Sequence, residues 1–389
     1  MQIPFHKPII SNNIYERLGE SIDSGWLTTG PKVREFEERL SKYLNAKHVI
    51  AVNSGTAALH LPLAAIGLKE GDLFIAPTYT FVASVEVGEY FGAHPALVDV
   101  DPDTMNLDLD QVESVLKQSG NKVKAIVPVH LAGYPVDMKS LKMMADKYGI
   151  FILEDAAHAL ETVTNAGKVG DTDYAAAFSF YANKNITTGG EGGAVATNNS
   201  ELAEKIRRLS LHGMSRDGWN RFAKGGKWYY EITDLGYKYN MTDIAAIFGL
   251  EQIRHIEEWS QKRHFIVKQY SDKLSKIPGL ILPKDTEVGH HAWHLFIIRI
   301  KPELWQISRN ELIIKINEKG IGTSVHYIPV HMHPYYVKKY NYVDTDFPIA
   351  KRLSETVITL PLYPGLAQDQ VDYLTDMILD IWELYNCQK

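Results

Sequence analysis

Ala177 to Ala194 reads A-F-S-F-Y-A-N-K-N-I-T-T-G-G-E-G-G-A, with Lys184 near its centre. A lysine that follows an apolar strand, stands among small polar residues and precedes a glycine cluster has its amine held near a bound ligand. There it can form a Schiff base. Twenty-nine residues earlier, Phe151 to Ala159 (F-I-L-E-D-A-A-H-A) has the form of a buried parallel strand with Asp155 at its carboxyl tip. A lysine for an aldehyde and a carboxylate for a pyridinium nitrogen are the pair that pyridoxal phosphate requires. Nearly all of the 41 Lys and Arg residues must be solvated surface charges, so Lys184 draws its weight from its neighbours.

Two further turns could serve the same ligand. His48 to Val52 is a short strand that runs into Asn53-Ser54-Gly55-Thr56-Ala57-Ala58-Leu59-His60, a turn that opens a helix. Glycine and hydroxyl residues at a helix N-terminus present free N–H groups and a favourable dipole to a phosphate, although a plain Ser N-cap accounts for part of the pattern. It is neither G-x-G-x-x-G nor G-x-x-x-x-G-K-[ST], which argues against a dinucleotide fold and a P-loop ATPase. The strand Leu73 to Ala76 leads into Pro77-Thr78-Tyr79-Thr80-Phe81-Val82-Ala83-Ser84, where Phe81 could stack on a heteroaromatic ring or pack into the core. Ser179 lies within reach of the same phosphate if its strand adjoins the cup.

The elements that must position these residues are short β-branched runs alternating with helical segments. This pattern predicts βαβ units and a mainly parallel sheet, with ligands at the carboxyl ends of the strands. Ser21 to Val33 is a Gly- and Pro-punctuated loop that either links elements or places Trp26, Leu27 and Thr28, with Trp26 exposed, over a ligand. His212 to Glu231, rich in aromatics and containing Arg216 and Arg221, reads as a substrate lid or an arm to a partner subunit. Residues 1–255 are expected to form a large cofactor-binding domain and 256–389 a smaller α+β domain, with residues 1–20 packing on the latter. In the smaller unit a strand is expected over Ala292 to Ile300, a helix over Ser308 to Lys319, a short strand containing His326 and Tyr327, and a terminal helix from Gln368 to Tyr385.

Bulk composition sets outer limits. The length of 389 residues allows two or three compact units, and 45% apolar with 23% charged residues is ordinary for a globular protein. A net charge of −6 gives no basic footprint for nucleic acid. The single cysteine, Cys387, precludes an internal disulfide and a thiolate zinc site. Neither a secretory leader nor a membrane-spanning run is read from the sequence, so a soluble cytoplasmic protein without membrane or nucleic-acid partners and without a metal is expected.

Over nearly its whole length the chain resembles the DegT/DnrJ/EryC1/StrS group of fold-type-I pyridoxal-phosphate aminotransferases that act on keto sugars. The matching motifs are S-G-W-L-T-T-G-P-K-V (24–33), N-S-G-T-A-A-L-H (53–60), P-T-Y-T-F-V-A-S (77–84), E-D-A-A-H-A (154–159), S-F-Y-A-N-K-N-I-T-T (179–188), G-Y-K-Y-N-M-T-D-I (236–244) and A-W-H-L-F-I-I-R (292–299). The first and the last two look most like the family's UDP-4-keto-L-arabinose aminotransferases.

The resemblance implies an α/β fold with a mainly parallel sheet in a large domain and a smaller α+β C-terminal domain. It makes Lys184 the Schiff-base residue and Asp155 the partner of the pyridinium nitrogen. His158 is similar to the residue near the cofactor's phenolic oxygen, and Phe81 to the ring-stacking aromatic. Ser54, Gly55, Thr56 and Ser179 would hold the phosphate, and Asn240 would reach the phosphate of a neighbouring subunit in a homodimer. L-Glutamate would be the amino donor and a nucleotide-linked keto sugar the acceptor, for cell-surface polysaccharide or lipopolysaccharide biosynthesis.

Two departures stand out. The loop after Lys184 reads N-I-T-T-G-G before Glu191, one glycine longer than the usual T-T-G-E-G-G form, and V-H-Y-I-P-V-H-M-H-P-Y-Y (325–336) differs from the arabinose enzymes. His326 and Tyr327 remain candidates for sugar hydroxyls. Three other readings stand beside the nucleotide sugar. A sugar acid would meet Arg216 or Arg221 through its carboxylate. A sugar dehydratase is disfavoured, because the related 3-dehydratases carry histidine at the lysine position. A non-catalytic sugar-nucleotide sensor would need none of the intact lysine, acid and cup.

Overall fold

The computed structural model of the chain describes residues 1–215 and 229–387. The strands of its central sheet are β1 (His48–Val52), β2 (Leu73–Pro77), β3 (His94–Val98), β4 (Val123–Ile126), β5 (Phe151–Asp155), β8 (Ala175–Ser179) and β9 (Gly193–Thr197), while β6 (Val163–Thr164) and β7 (Gly167–Lys168) form a small hairpin beside it. They lie in the order β1-β9-β8-β5-β4-β2-β3. Only β9 runs antiparallel to its neighbours; the other neighbouring pairs are parallel. The sheet is mainly parallel, as the alternation of runs predicts.

Its inner strands are apolar throughout because both faces are covered. Every residue of β9 and all but the last of β8 are buried, and Ala175, Ala176, Ala177, Ala194 and Ala196 let the covering helices approach closely. Helix α1 spans Asn13–Asp23, α2 Pro31–Leu44, α3 Gly55–Ala65 and α4 Ala83–Glu89. Helix α3 is buried on nearly all sides, which fits its almost wholly apolar sequence.

A second, antiparallel sheet consists of β10 (Leu280–Ile281), β11 (Phe296–Ile300) and β12 (Val357–Leu360). It packs with the helices Ile256–Leu274, Arg309–Glu318 and Gln368–Tyr385 around Tyr270, Phe296, Ile298, Ile316 and Ile378. The first residues of the chain join this unit, since Ile3 N–H donates to Gly320 O and Gly322 N–H to Ile3 O, each at 2.8 Å. Helix α1 instead lies on the helix Asp243–Gln252, where Arg17 pairs with Glu251 at 2.6 Å.

Two local expectations change. Extended pairing over 292–300 begins only at Phe296, because Ala292 and His294 donate their N–H groups to Gly133 and Ala132 of the first unit. His326 and Tyr327 lie in no strand: Ser324 pairs with Thr359 and the chain then turns away from the sheet. Both departures carry side chains toward Lys184.

Candidate active site

Strand register assembles one corner of the site. The last residue of β1, Val52, is paired with Gly193, and Gly193 with Ser179 at the end of β8. The cup after β1 and the residues before Lys184 therefore end side by side. Ser54 is extended and caps α3, its Oγ accepting from Ala57 N–H at 3.1 Å. The N–H groups of Gly55 and Thr56 begin the helix and have no acceptor within it. A Cβ on Gly55 would lie 2.8 Å from Ser179 Cβ and 3.0 Å from its Oγ, so only glycine lets the helix end meet Ser179. The result is a cradle of backbone N–H and hydroxyl groups suited to an anion.

Asp155 ends β5, which lies directly beside β8 with Asp155 opposite Ala177. Its carboxylate is buried and accepts from Ser84 Oγ at 2.6 Å and from Ala157 N–H at 3.0 Å. Burial raises its pKa above the usual carboxylate range, against the opposing pull of these bonds and of Lys184. The preceding Glu154 projects from the opposite face and meets His130 at 3.1 Å. Of the adjacent acids, Asp155 alone is turned toward Lys184.

Lys184 follows a tight turn, its N–H donating to Tyr181 O at 2.9 Å. Desolvation lowers its pKa to about 8, with Asp155 pulling the other way. The amine thus gains a substantial neutral fraction near physiological pH. His158, also buried, accepts from Ala132 N–H at Nδ1 (3.2 Å) and faces the Tyr327 hydroxyl with Nε2 at 3.2 Å. Burial, then the Lys184 charge, hold its pKa well below the ordinary value. The ring is neutral, and the backbone bond places its proton on Nε2. Phe81 is 58% exposed, which excludes the core role, and its ring centre stands 6.1 Å from that of Tyr327.

Sequence reasoning missed several groups here. Ser84, three residues beyond Phe81 in the first turn of α4, is the hydroxyl partner of Asp155. His294 lies with its ring centre 4.4 Å from that of His158, and its Nδ1 meets Asn185 Oδ1 at 2.7 Å. Asn185 in turn donates to Glu161 at 2.6 Å, and Glu161 pairs with buried Arg263. His294 fell within the A-W-H-L-F-I-I-R run and Glu161 two residues beyond E-D-A-A-H-A, but nothing in either run pointed to the other.

Other expected residues lie differently. His326 is half-buried near Lys184: its Nδ1 meets Thr359 Oγ1 at 2.8 Å, its ring lies near Phe5, and burial, then the Lys184 charge, lower its pKa to about 4. Trp26, expected to be exposed, is half-buried with Nε1–H donating to Thr29 O at 3.1 Å, while Leu27 and Thr28 are exposed. Asn240 pairs with Val52 beside the cup, and its side chain meets Thr29 Oγ1 (2.8 Å) and Lys238 Nζ (2.7 Å) of its own chain. Arg216 and Arg221 lie outside the described residues.

The model of the DegT/DnrJ/EryC1/StrS aminotransferase family matches residues 8–379. The chain belongs to this family. The spore coat polysaccharide biosynthesis protein SpsC of Bacillus subtilis (strain 168) is 42% identical over 380 residues, covering 97% of each chain. Spr1654 of Streptococcus pneumoniae in its PMP form superposes with a TM-score of 0.90 at 33% identity, over 98% of this chain and 100% of that one, and the same protein has been solved in a PLP form. DesV of S. venezuelae, in complex with a ketimine intermediate, gives a TM-score of 0.87 at 31% identity over 95% and 94% of the two chains.

The protein is a pyridoxal-phosphate-dependent sugar aminotransferase with the fold-type-I architecture. Its own residues fit that cofactor. The Gly55–Ser179 cradle suits the phosphate, the buried Asp155 carboxylate suits a cationic ring nitrogen, and Lys184 supplies an amine of lowered pKa. Among the described residues no helix is long and apolar enough to cross a membrane.

Proposed function

We propose that this aminotransferase moves the amino group of L-glutamate to a nucleotide-linked keto sugar, for a cell-surface polysaccharide. Support for the pathway class comes from the name of the 42%-identical Bacillus protein, and support for the acceptor from the motif resemblance. The observation that carries the chemistry is the lysine of lowered pKa beside a buried acid, at the strand edge that also holds the anion cradle.

Bound pyridoxal phosphate supplies an electron-withdrawing ring onto which nitrogen is loaded from one substrate and from which it is delivered to the next. In this reading Ser54, Gly55, Thr56 and Ser179 bind the phosphate. Asp155, held by Ser84, keeps the ring nitrogen protonated, and a cation there reverses the upward pKa shift that burial imposes on the carboxylate. His158 donates its Nε2 proton toward the phenolic oxygen, and Phe81 covers the ring face. Lys184 Nζ would take the proton from the substrate carbon that carries nitrogen and pass it to the cofactor carbon in the same half of the cycle, and would run the transfer in reverse in the other half.

Asn240 would complete the phosphate site of a second copy in a homodimer, and Trp26, Leu27 and Thr28 would border the sugar. Tyr327 would act beside His158. His326 and Tyr327 would contact sugar hydroxyls. We further assign residues 1–255 and 256–389 to two domains and the reaction to the cytoplasm.

The test is to load the enzyme with L-glutamate, remove excess donor, and add UDP- and dTDP-linked 4-keto and 3-keto sugars one at a time. Amino-sugar formation followed by mass spectrometry with one of them is the expected result. Turnover of a free keto sugar acid with none of the nucleotide sugars would overturn the nucleotide assignment.

A further inference from the structure

Asp243 is buried and has no place in the chemistry described above. It opens the helix Asp243–Gln252, yet Thr242 caps that helix by accepting from Ala245 N–H. The Asp243 carboxylate instead caps a different helix. Its Oδ1 accepts from Gly30 N–H (2.8 Å) and Val33 N–H (3.0 Å), and its Oδ2 from Lys32 N–H (3.2 Å). These are donors at the start of α2, so a buried carboxyl group sits at the positive end of that helix.

The same junction is laced from both sides. Asp243 N–H donates to Thr28 O at 3.1 Å, and Thr29 Oγ1 donates to Met241 O at 2.5 Å. Thr29 Oγ1 also accepts from Asn240 Nδ2 at 2.8 Å, while Asn240 Oδ1 accepts from Lys238 Nζ at 2.7 Å. Both ends of the Asn240 amide are therefore fixed. Trp26 is folded back onto Thr29, and a Cβ on Gly30 would lie 1.8 Å from Trp26 Nε1 and 2.7 Å from Asp243 Oδ2. Glycine at position 30 is what lets indole and carboxylate close on the same backbone.

The junction lies at the mouth of the phosphate cup. Asn240 pairs with Val52, and Asn53 N–H donates to Tyr239 O at 2.8 Å, one residue before Ser54. Leu27 and Thr28 stay exposed at its outer side.

We propose that Asp243 is a positioning residue that clamps residues 26–33 to residues 240–243, so that Asn240 and the Trp26–Thr28 loop are presented as one preorganised patch. The clamp acts on phosphate binding through Asn240, and to that extent rests on the role given to Asn240 above. Asp243→Asn keeps the volume but replaces one accepting oxygen with a donor that faces another donor, so it opens the clamp. Thr29→Val removes the hydroxyl bonded to Asn240 and leaves the carboxylate in place.

The experiment measures the dissociation constant of pyridoxal phosphate, by absorbance, for wild type, Asn240→Ala, Asp243→Asn, Thr29→Val and the doubles Asn240→Ala/Asp243→Asn and Asn240→Ala/Thr29→Val. Asn240→Ala is expected to weaken binding roughly tenfold, the scale of one hydrogen bond to a charged group. Asp243→Asn and Thr29→Val should each weaken it several-fold, and each double should bind no worse than Asn240→Ala alone, since residues that act through one another are non-additive. Additive losses, or a folded Asp243→Asn that binds like wild type, would overturn the clamp. If Asp243→Asn does not fold, the Thr29→Val cycle decides the question. An Asn240→Ala protein that binds like wild type while Lys184→Ala does not would overturn the Asn240 role and the clamp together, leaving the lysine assignment intact.

Discussion

The corner formed by β1, β8 and β9 and the segment from Ser324 to Tyr327 both border Lys184, and they are built on opposite principles. At the corner, three strands in register bring backbone against backbone, and Gly55 leaves no room for a side chain against Ser179. The later segment is suspended from single contacts: Ser324 exchanges two backbone bonds with Thr359, Tyr79 donates to His326 O at 2.7 Å, and Tyr327 reaches His158. A site built by backbone approach is rigid and intolerant. One hung from side chains can be retuned one bond at a time.

The comparison is broken most strongly through Lys184, which lies between the two regions. With its pKa lowered to about 8, the amine is neutral above that pH and protonated below it. The rate at which pyridoxal phosphate combines with the cofactor-free protein should fall about tenfold per pH unit below 8, roughly a hundredfold by pH 6, and level off above 8. Stopped-flow absorbance checks this. A rate still climbing toward pH 10 would mean that the amine is not depressed.

Gly55→Ala tests the corner directly. The new methyl must displace Ser179 or the end of α3, so cofactor affinity should drop about 30-fold, with an overpacking penalty of about 1–3 kcal/mol in chemical denaturation. Ser84→Ala comes next. Loss of its bond to the buried Asp155 carboxylate costs about 1.5–3 kcal/mol, so kcat should fall at least about tenfold and the melting temperature by a few degrees. Tyr327→Phe should be mildest, about threefold in kcat/KM, because it removes one neutral contact to His158. If Tyr327→Phe hurt more than Gly55→Ala, the contrast between the two regions would be false.

This contrast also explains what the sequence made legible. Asp155 ends an apolar strand, and Lys184 and the Ser54–Thr56 cup each follow one, so short-range patterning singled them out, and the parallel sheet followed from the alternation of those strands. Ser84 was within a recognised motif but acts across the sheet on a residue 71 positions later. His294 and Asn185 are 109 residues apart, and the two ends of the Asp243 clamp more than 200, separations at which single-sequence patterns carry no pairing information. The strand expected at His326 and Tyr327 failed for a related reason. Its β-rich composition serves a turn that leaves the small sheet after Ser324. His326, read as a candidate for sugar hydroxyls, has its Nδ1 held by Thr359.

The central claim is that Lys184 and Asp155 operate on pyridoxal phosphate with L-glutamate as the donor. The measurement that tests it most directly is the visible absorption spectrum of the cofactor-loaded protein before and after L-glutamate, run in parallel on Lys184→Ala. The account predicts a bound-cofactor band near that of a protonated lysine adduct, bleached by glutamate in the wild type. In the variant, that band should be absent or shifted and its response to glutamate slowed at least about 10³-fold, the scale of a lost general acid–base group. A wild-type band indifferent to glutamate would contradict the donor, and an unchanged spectrum and response in Lys184→Ala would contradict the role of the lysine itself.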